Sequence, residues 1–141
     1  MKNVSKLVVR MGLLSLLSVM PLTAQIVNGV DFTTSFPFYV GNAKMPAGSY
    51  KITQSDMDES ILEIQSADGA HSALIEFVPT HSAQPHPQSD VTFHKYGATE
   101  YLNRVWVGGQ RYGMKVDATK AETKAAANAN VVEHSLTASL R

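Results

Sequence analysis

Apolar and polar side chains alternate along the segment Val30–Val40 (VDFTTSFPFYV). In an extended chain, one face of this segment would carry Val30, Phe32, Thr34, Phe36, Phe38 and Val40. A period of two over eleven residues is typical of a β-strand with one buried face. Pro37 cannot donate a hydrogen bond to a neighbouring strand, so we expect the strand to bend there or to lie at an edge.

Six further segments show the same alternation or are bounded by turn residues, and we predict each of them as a strand. Their ranges are 50–54, 61–66, 72–78, 91–96, 100–107 and 131–140. Pro46 and Gly48 suit a tight turn before the second strand, and Asp68-Gly69 is a dipeptide preferred in hairpins. The segment 79–90 (PTHSAQPHPQSD) contains three prolines and is predicted to be an exposed loop.

The period changes at Asp117–Asn128 (DATKAETKAAAN), which is rich in alanine, lysine and glutamate. These residues favour a helix, and Asp117 or Thr119 is a suitable N-cap. The helix has little apolar bulk, so we expect it on the surface. About seven strands and one short α-helix predict an all-β fold, an antiparallel barrel or sandwich, in a single domain spanning residues 25–141.

Residues 1–24 have the anatomy of a secretory signal peptide. Three basic residues precede the apolar run Met11–Met20, and Ala24 is a small residue at the expected cleavage position. We predict cleavage after Ala24 and export to the periplasm or the extracellular space. The alternative is an uncleaved N-terminal anchor, which the short apolar run disfavours. After cleavage, no segment is expected to span a membrane.

The composition of the exported chain excludes several types of chemistry and of binding partner. The absence of cysteine excludes disulfides, thiol catalysis and cysteine-bound metal clusters. Cleavage would remove three of the twelve lysines and arginines and leave nine against twelve aspartates and glutamates, a net charge of about −3. The chain therefore lacks the basic surface expected of a nucleic-acid-binding domain.

Several short motifs occur along the chain in an order that resembles a known group of proteins. F-P-F-Y-V-G is followed by M-P-A-G-S-Y, I-L-E-I-Q-S-A-D-G, F-H-K-Y-G and E-Y-L-N-R-V-W, and then by the predicted helix. This order resembles a group of small exported proteins of unknown function that occur in many copies in acidobacterial-type soil bacteria. Met45 and Lys95 stand where the group more often has leucine and arginine. The resemblance implies an exported β-domain and no catalytic residue.

The hairpin Phe93–Gly109 contains the single tryptophan of the chain and is its most patterned part. Alternation places Leu102, Arg104 and Trp106 on one face, with the guanidinium able to stack on the indole, and Tyr101 on the other. One interpretation is an aromatic platform for a sugar or a lipid. The interpretation we favour is that these side chains form cross-strand pairs that fix the strand register.

The histidines raise the question of a metal site. His81 and His86 lie in the proline-rich loop and His94 in the next predicted strand. Imidazole is a common ligand of Zn²⁺ and Cu²⁺, but this spacing is not that of an H-E-x-x-H motif. The three residues would form a metal site only if the fold brought them together. No serine-nucleophile motif or phosphate-binding loop is present, so we predict no catalytic residue and no cofactor.

These patterns favour an exported, non-enzymatic β-domain that binds or scaffolds an unknown ligand in the cell envelope or outside the cell. The expected contact region is the loop His81–Asp90 with Tyr101, Arg104 and Trp106 beside it. The alternative is a small histidine-based metal-binding protein or metal-dependent hydrolase. A carrier of small lipids is a third idea, and it would need an apolar cavity in the interior.

Overall fold

The computed structural model describes residues 29–140. The predicted signal peptide, residues 1–24, lies outside them. Most of the described chain is extended, which confirms the prediction of an all-β fold with one short helix. The helix is α1 (Lys120–Asn128), and the strands are β1 (Val30–Thr34), β2 (Phe38–Val40), β3 (Ala43–Met45), β4 (Gly48–Gln54), β5 (Ile61–Ser66), β6 (Ser72–His81), β7 (Asp90–Tyr96), β8 (Thr99–Trp106), β9 (Tyr112–Val116), β10 (Val131–Thr137) and β11 (Ser139–Leu140).

Two sheets form a sandwich and share one long strand. The first sheet has the order β11-β1-β4-β5-β6, and the second has the order β6-β9-β8-β7-β10. β6 belongs to both, because residues 72–76 pair with β5 and residues 77–81 pair with β9. The chain returns from the second sheet to the first at Ala138, between β10 and β11. These two strands do not pair with each other, so the sheet is not closed into a barrel.

The structure divides two of the predicted strands and adds two others. The chain bends at residues 35–37, so the first predicted strand becomes β1 and β2, as expected from Pro37. Ala138 separates β10 from β11 in the same way. β3 and β9 are absent from the prediction. β3 has three residues, and Met114 and Val116 are the only apolar side chains of β9 that lie in the core, too few for a period to be recognised.

Aromatic rings fill the centre of the sandwich. The contacts that join Phe32, Phe38, Tyr50 and Phe93 have ring-centroid distances between 5.1 and 6.1 Å, in tilted, edge-on and stacked arrangements. Such geometries are favoured between aromatic side chains. These rings occupy the place where a lipid carrier would need a cavity. Aliphatic side chains from both sheets surround them, including Val30, Ile52, Leu62, Ile64, Val91, Leu102, Val105 and Met114.

A β-bulge in β8 decides which of its side chains face outward. On β7 the consecutive residues Thr92 and Phe93 pair with Arg104 and Leu102, so Asn103 is one extra residue in β8. Such a bulge shifts the alternation of side chains along its strand by one position. The prediction that Leu102 shares a face with Arg104 is therefore wrong. Leu102 lies in the core, whereas Arg104 lies opposite Thr92 on the outer face.

The helix α1 begins one residue after its cap. The Thr119 hydroxyl accepts a hydrogen bond of 3.1 Å from the backbone N–H of Glu122, which satisfies one donor of the first turn. Glu122 is the buried residue of this helix, and the other helical side chains are exposed or half-buried. The helix therefore lies on the surface, and it docks through a carboxylate. No helix among residues 29–140 is long and apolar enough to cross a membrane.

We expect Leu62→Ala to lower the free energy of unfolding by about 2–5 kcal/mol, because Leu62 is 0% exposed and its truncation leaves a cavity. Leu74→Ala on the neighbouring strand is the matched control. Leu74 is 66% exposed, so its truncation should change stability by no more than about 0.5 kcal/mol. Urea unfolding followed by tryptophan fluorescence measures both changes. Equal losses in the two variants would contradict the packing described above.

Candidate functional site

The outer face of the second sheet carries polar side chains in rows that cross four strands. One row runs from Ser135 of β10 through Thr92 of β7 and Arg104 of β8 to Lys115 of β9. The bulge adds Asn103 to this row, because Asn103 and Arg104 both lie opposite Thr92. We call these five residues the donor row, since each of their side chains carries a hydrogen-bond donor.

The loop between β6 and β7 covers one end of this face. The His86 ring stacks on the Trp106 indole with a centroid distance of 4.2 Å and an interplanar angle of 13°. His86 Nδ1 lies 2.9 Å from Asp90 Oδ2, which fixes the orientation of the imidazole. The indole also lies against Gly113, where a Cβ atom would come within 2.5 Å of Trp106 Cε3. We call His86, Asp90 and Trp106 the loop cluster.

Backbone hydrogen bonds attach this loop to the turn before β9. The His86 N–H donates to the Gln110 carbonyl at 3.0 Å, and the His86 carbonyl accepts from the Gly109 N–H at 2.7 Å. Nearer β6, the Ser82 N–H donates to the Arg111 carbonyl at 2.8 Å. The proline-rich loop is therefore held at several points, and the position of the His86 ring is determined by its own backbone contacts.

A groove of about 310 Å³ opens beside the loop cluster. The loop cluster and β10 residues Glu133, Ser135 and Thr137 line it together with Thr92. Thr92 is 3% exposed, and its hydroxyl has no hydrogen-bond partner within residues 29–140. We call this the loop groove. The loop groove combines the stacked rings of His86 and Trp106 with the Thr92 hydroxyl, which has no hydrogen-bond partner within the described chain.

A larger groove of about 580 Å³ lies on the first sheet. Its lining is mainly hydroxyl and amide side chains with one lysine and one aspartate, and no histidine or tryptophan contributes to it. The hydroxyls of Thr33 and Ser49, which line it, are hydrogen-bonded to each other at 2.9 Å. These two groups satisfy each other, in contrast to Thr92 in the loop groove.

The helix α1 docks on the other end of the outer face. Glu122 Oε1 accepts a hydrogen bond of 3.2 Å from the Tyr96 hydroxyl and lies 3.5 Å from His94 Nδ1. The Tyr101 ring contacts Tyr96 at 5.9 Å and stacks on Tyr39 at 5.2 Å. We call these five residues the helix cluster. A buried carboxylate and a group of tyrosines thus attach the helix to the sheet.

Two tyrosines of the helix cluster have perturbed acidity. Burial raises the pKa of the Tyr96 hydroxyl above its ordinary value of 10.0, and the Glu122 carboxylate raises it further by charge and by hydrogen bonding. Burial also raises the pKa of Tyr101, with smaller effects of Tyr39 and Glu122. Both shifts favour the neutral phenol, as expected for a hydroxyl removed from water beside a carboxylate.

A further histidine–carboxylate pair lies on the inner side of the second sheet. Glu100 is 3% exposed, and its Oε1 lies 2.9 Å from His134 Nδ1. The Phe36 ring packs on His134 with a centroid distance of 4.9 Å and on Phe93 at 5.3 Å. Glu100 Oε2 has no partner among the described residues. Phe36 thus packs against both Phe93 of β7 and His134 of β10.

The structure places the three histidines considered as metal ligands in different surroundings. His81 packs edge-on against the Tyr112 ring at 4.5 Å, His86 belongs to the loop cluster, and His94 belongs to the helix cluster. Within the part of the chain that the structure describes, no three histidine or carboxylate side chains are arranged to hold a metal ion. The fold therefore does not bring His81, His86 and His94 together.

The outer face carries all three side chains of the predicted contact region on β8, Tyr101, Arg104 and Trp106, but different residues cover them. Tyr101 is 7% and Trp106 is 6% exposed, and Arg104 is half-buried between them. One side of the indole is covered by His86 and another by Gly113. The ring that stacks on the indole is that of His86, whereas no ring contact joins the Arg104 guanidinium to Trp106 among the described residues. Both aromatic rings are used in packing, and the loop groove opens beside the Trp106 ring.

Glu122 is a site residue that the sequence does not identify. The stretch Thr119–Glu122 matches a capping box, a pattern that turns the glutamate back toward the backbone N–H of the N-cap residue. In the structure the carboxylate instead contacts Tyr96, which lies 26 residues earlier in the chain. The position of Tyr39 beside Tyr101 also depends on a long-range contact, the short parallel pairing of β2 with β8.

No family model, no curated protein and no solved structure matches this chain. The functional interpretation therefore depends on the geometry of the outer face itself.

We expect Glu122→Gln to lower the pKa of Tyr96 toward 10.0 without reaching it, because the charge is removed and the burial remains. A pH titration of the tyrosine ring signals by NMR measures this. Glu133→Gln, which removes an exposed carboxylate opposite His94, is the control and should leave Tyr96 unchanged. An equal pKa of Tyr96 in wild type and Glu122→Gln would contradict the contact.

The same shift has a consequence for stability. The raised pKa keeps Tyr96 protonated in the folded chain at a pH where an unfolded tyrosine already ionises, so the unfolded state binds fewer protons. The free energy of unfolding should therefore fall as the pH rises above about 10. The slope of this fall should be smaller in Glu122→Gln than in wild type.

Proposed function

We propose that this chain is an exported, non-enzymatic binding domain whose ligand occupies the loop groove. The observation that carries the proposal is the construction of the groove, in which a fixed His86–Trp106 wall stands beside the unpartnered hydroxyl of Thr92. A buried hydroxyl without a partner costs about 1–3 kcal/mol. A ligand that supplies a partner would recover part of this free energy on binding.

The hydrogen bonds of the histidines support binding over catalysis. A serine- or threonine-based hydrolase needs a hydroxyl nucleophile hydrogen-bonded to an oriented imidazole. The imidazole of His86 is oriented by Asp90, but the side-chain partners of the histidines within residues 29–140 are carboxylates and the Tyr96 hydroxyl. The metal-dependent alternative would require ligands that converge, and the described residues offer no such group.

The exported location in this proposal depends on the leader predicted from the sequence. If residues 1–24 act as a signal peptide, the protein recovered from the periplasm or the culture medium should begin at Gln25. N-terminal sequencing of that protein measures this directly. Recovery of the protein only from the cytoplasm, with Met1 retained, would exclude export.

Binding in the loop groove can be tested with a fragment library of sugars, amino acids, carboxylic acids and aromatic heterocycles. We expect the fragments that bind to shift the NMR signals of the Trp106 indole N–H, Thr92 and Ser135. His86→Ala removes a ring that lines the groove and should weaken the aromatic fragments that pack on it about 2- to 10-fold, since an aromatic pair contributes about 0.5–1.5 kcal/mol.

His71→Ala is the matched control, because His71 is exposed on the turn between β5 and β6 and does not line the loop groove. It should leave the affinities unchanged. Fragments that gather in the groove of the first sheet, or that bind His86→Ala as well as wild type, would contradict the proposal.

A further inference from the structure

The bulge of β8 leaves three buried polar atoms without a hydrogen-bond partner within residues 29–140. They are Thr92 Oγ1, Asn103 Nδ2 and Arg104 Nε. Thr92 and Asn103 are 3% and 4% exposed, so both side chains are removed from bulk water. Buried polar atoms in folded proteins are nearly always paired, and a group of neighbouring exceptions requires a physical explanation.

The chemistry of these three atoms identifies what is missing. The amide nitrogen of Asn103 and the guanidinium nitrogen of Arg104 can only donate hydrogen bonds, and the hydroxyl of Thr92 can donate or accept. None of the three atoms has a hydrogen-bond partner within the described chain. The group that would satisfy them is therefore an oxygen acceptor with several lone pairs.

Charge favours an anionic acceptor over a neutral one. Arg104 and Lys115 are direct neighbours across β8 and β9, and the donor row contains no carboxylate. The carboxylates of the adjoining rows are Asp90 and Glu133, and both line the loop groove. Asp90 is engaged by His86 at 2.9 Å, and Glu133 is exposed opposite His94.

The loop groove provides access to the donor row. Thr92 and Ser135, which are neighbours across β7 and β10, both line the groove. A ligand seated against the loop cluster would thus reach the donor row at Thr92. Arg104 pairs with Thr92 across β7 and β8, and Asn103 is the extra residue beside Arg104; both lie behind the lining of the groove.

We propose that the donor row binds an oxyanion, namely a carboxylate, phosphate or sulfate group of the ligand in the loop groove. This inference rests on the proposed function and names the chemistry of the ligand. The Arg104 guanidinium makes charge-assisted hydrogen bonds to the anion, and the Asn103 amide and Thr92 hydroxyl donate to its oxygens. The bulge is what places two donors of β8 against one residue of β7.

A single buried water is a poorer match for this row. One water molecule can accept from Asn103 and Arg104 and donate to Thr92, but it carries no charge to offset that of Arg104. An oxyanion has enough lone pairs for all three and compensates the guanidinium. The two occupants can be distinguished by experiment.

The test is a titration of the purified protein with inorganic phosphate, sulfate and acetate at constant ionic strength. The side-chain N–H signals of Arg104 and Asn103 are followed by NMR. We expect saturable shifts of both signals, with a dissociation constant on the order of 1 mM for the preferred anion. Comparison of the three anions shows whether the row prefers a tetrahedral or a planar oxyanion.

Arg104→Gln removes the charge and should weaken the preferred anion at least tenfold, as expected for a charged hydrogen bond. Asn103→Asp replaces a donor by an anionic acceptor and should abolish the shifts of Arg104. Arg111→Gln is the matched control, because Arg111 is exposed outside the row, and it should change the affinity less than twofold. The amide spectrum of each variant verifies that it is folded.

Three results would overturn the inference: no saturable shift with any of the anions, equal weakening by Arg104→Gln and Arg111→Gln, or a bound water at the bulge that the anions do not displace. If neutral fragments still bind beside Trp106 in these cases, the loop groove remains a binding site and only its oxyanion specificity fails. If neither anions nor fragments shift the groove, the proposed function fails with it.

Discussion

The packing of Phe93 against three other phenylalanines is the interaction on which the rest of the structure depends. Phe93 is 0% exposed, and its ring contacts Phe32 at 6.1 Å and both Phe36 and Phe38 at 5.3 Å. These contacts join β7 of the second sheet to β1, β2 and the bend between them. Because Phe93 points inward, its neighbour Thr92 must point outward. The inner packing thereby determines which side chains form the outer face.

Polar groups on the outer face are satisfied at its two ends and not in its middle. His86 has Asp90 at one end, and Glu122 has Tyr96 at the other. A buried charge or ring nitrogen with a partner is stable, whereas one without a partner is costly. The unpartnered atoms of the donor row lie between these satisfied clusters. This contrast within one face is the reason for the proposal that a ligand binds in the middle of the sheet.

The strands and the helix could be predicted largely from the sequence because their signals are local. Alternation marks most strands, Pro37 marks the bend, and Thr119 caps the helix as expected. The bulge at Asn103 could not be predicted, since one extra residue is defined only relative to the partner strand. For the site, the predicted region contains His86 and Trp106, but their stacking is a long-range contact.

The strand β6 has a consequence for the way the chain folds. Since its two halves pair with different sheets, neither sheet can be completed without the other, and partial unfolding of one should disturb both. The pairing of Val30 with Leu140 joins opposite ends of the described chain. A contact between residues so distant in sequence forms only after a large loop has closed, and closing the loop costs conformational entropy. Proteins that depend on such contacts typically fold slowly. Assembly of this sandwich should therefore be a cooperative and comparatively slow event.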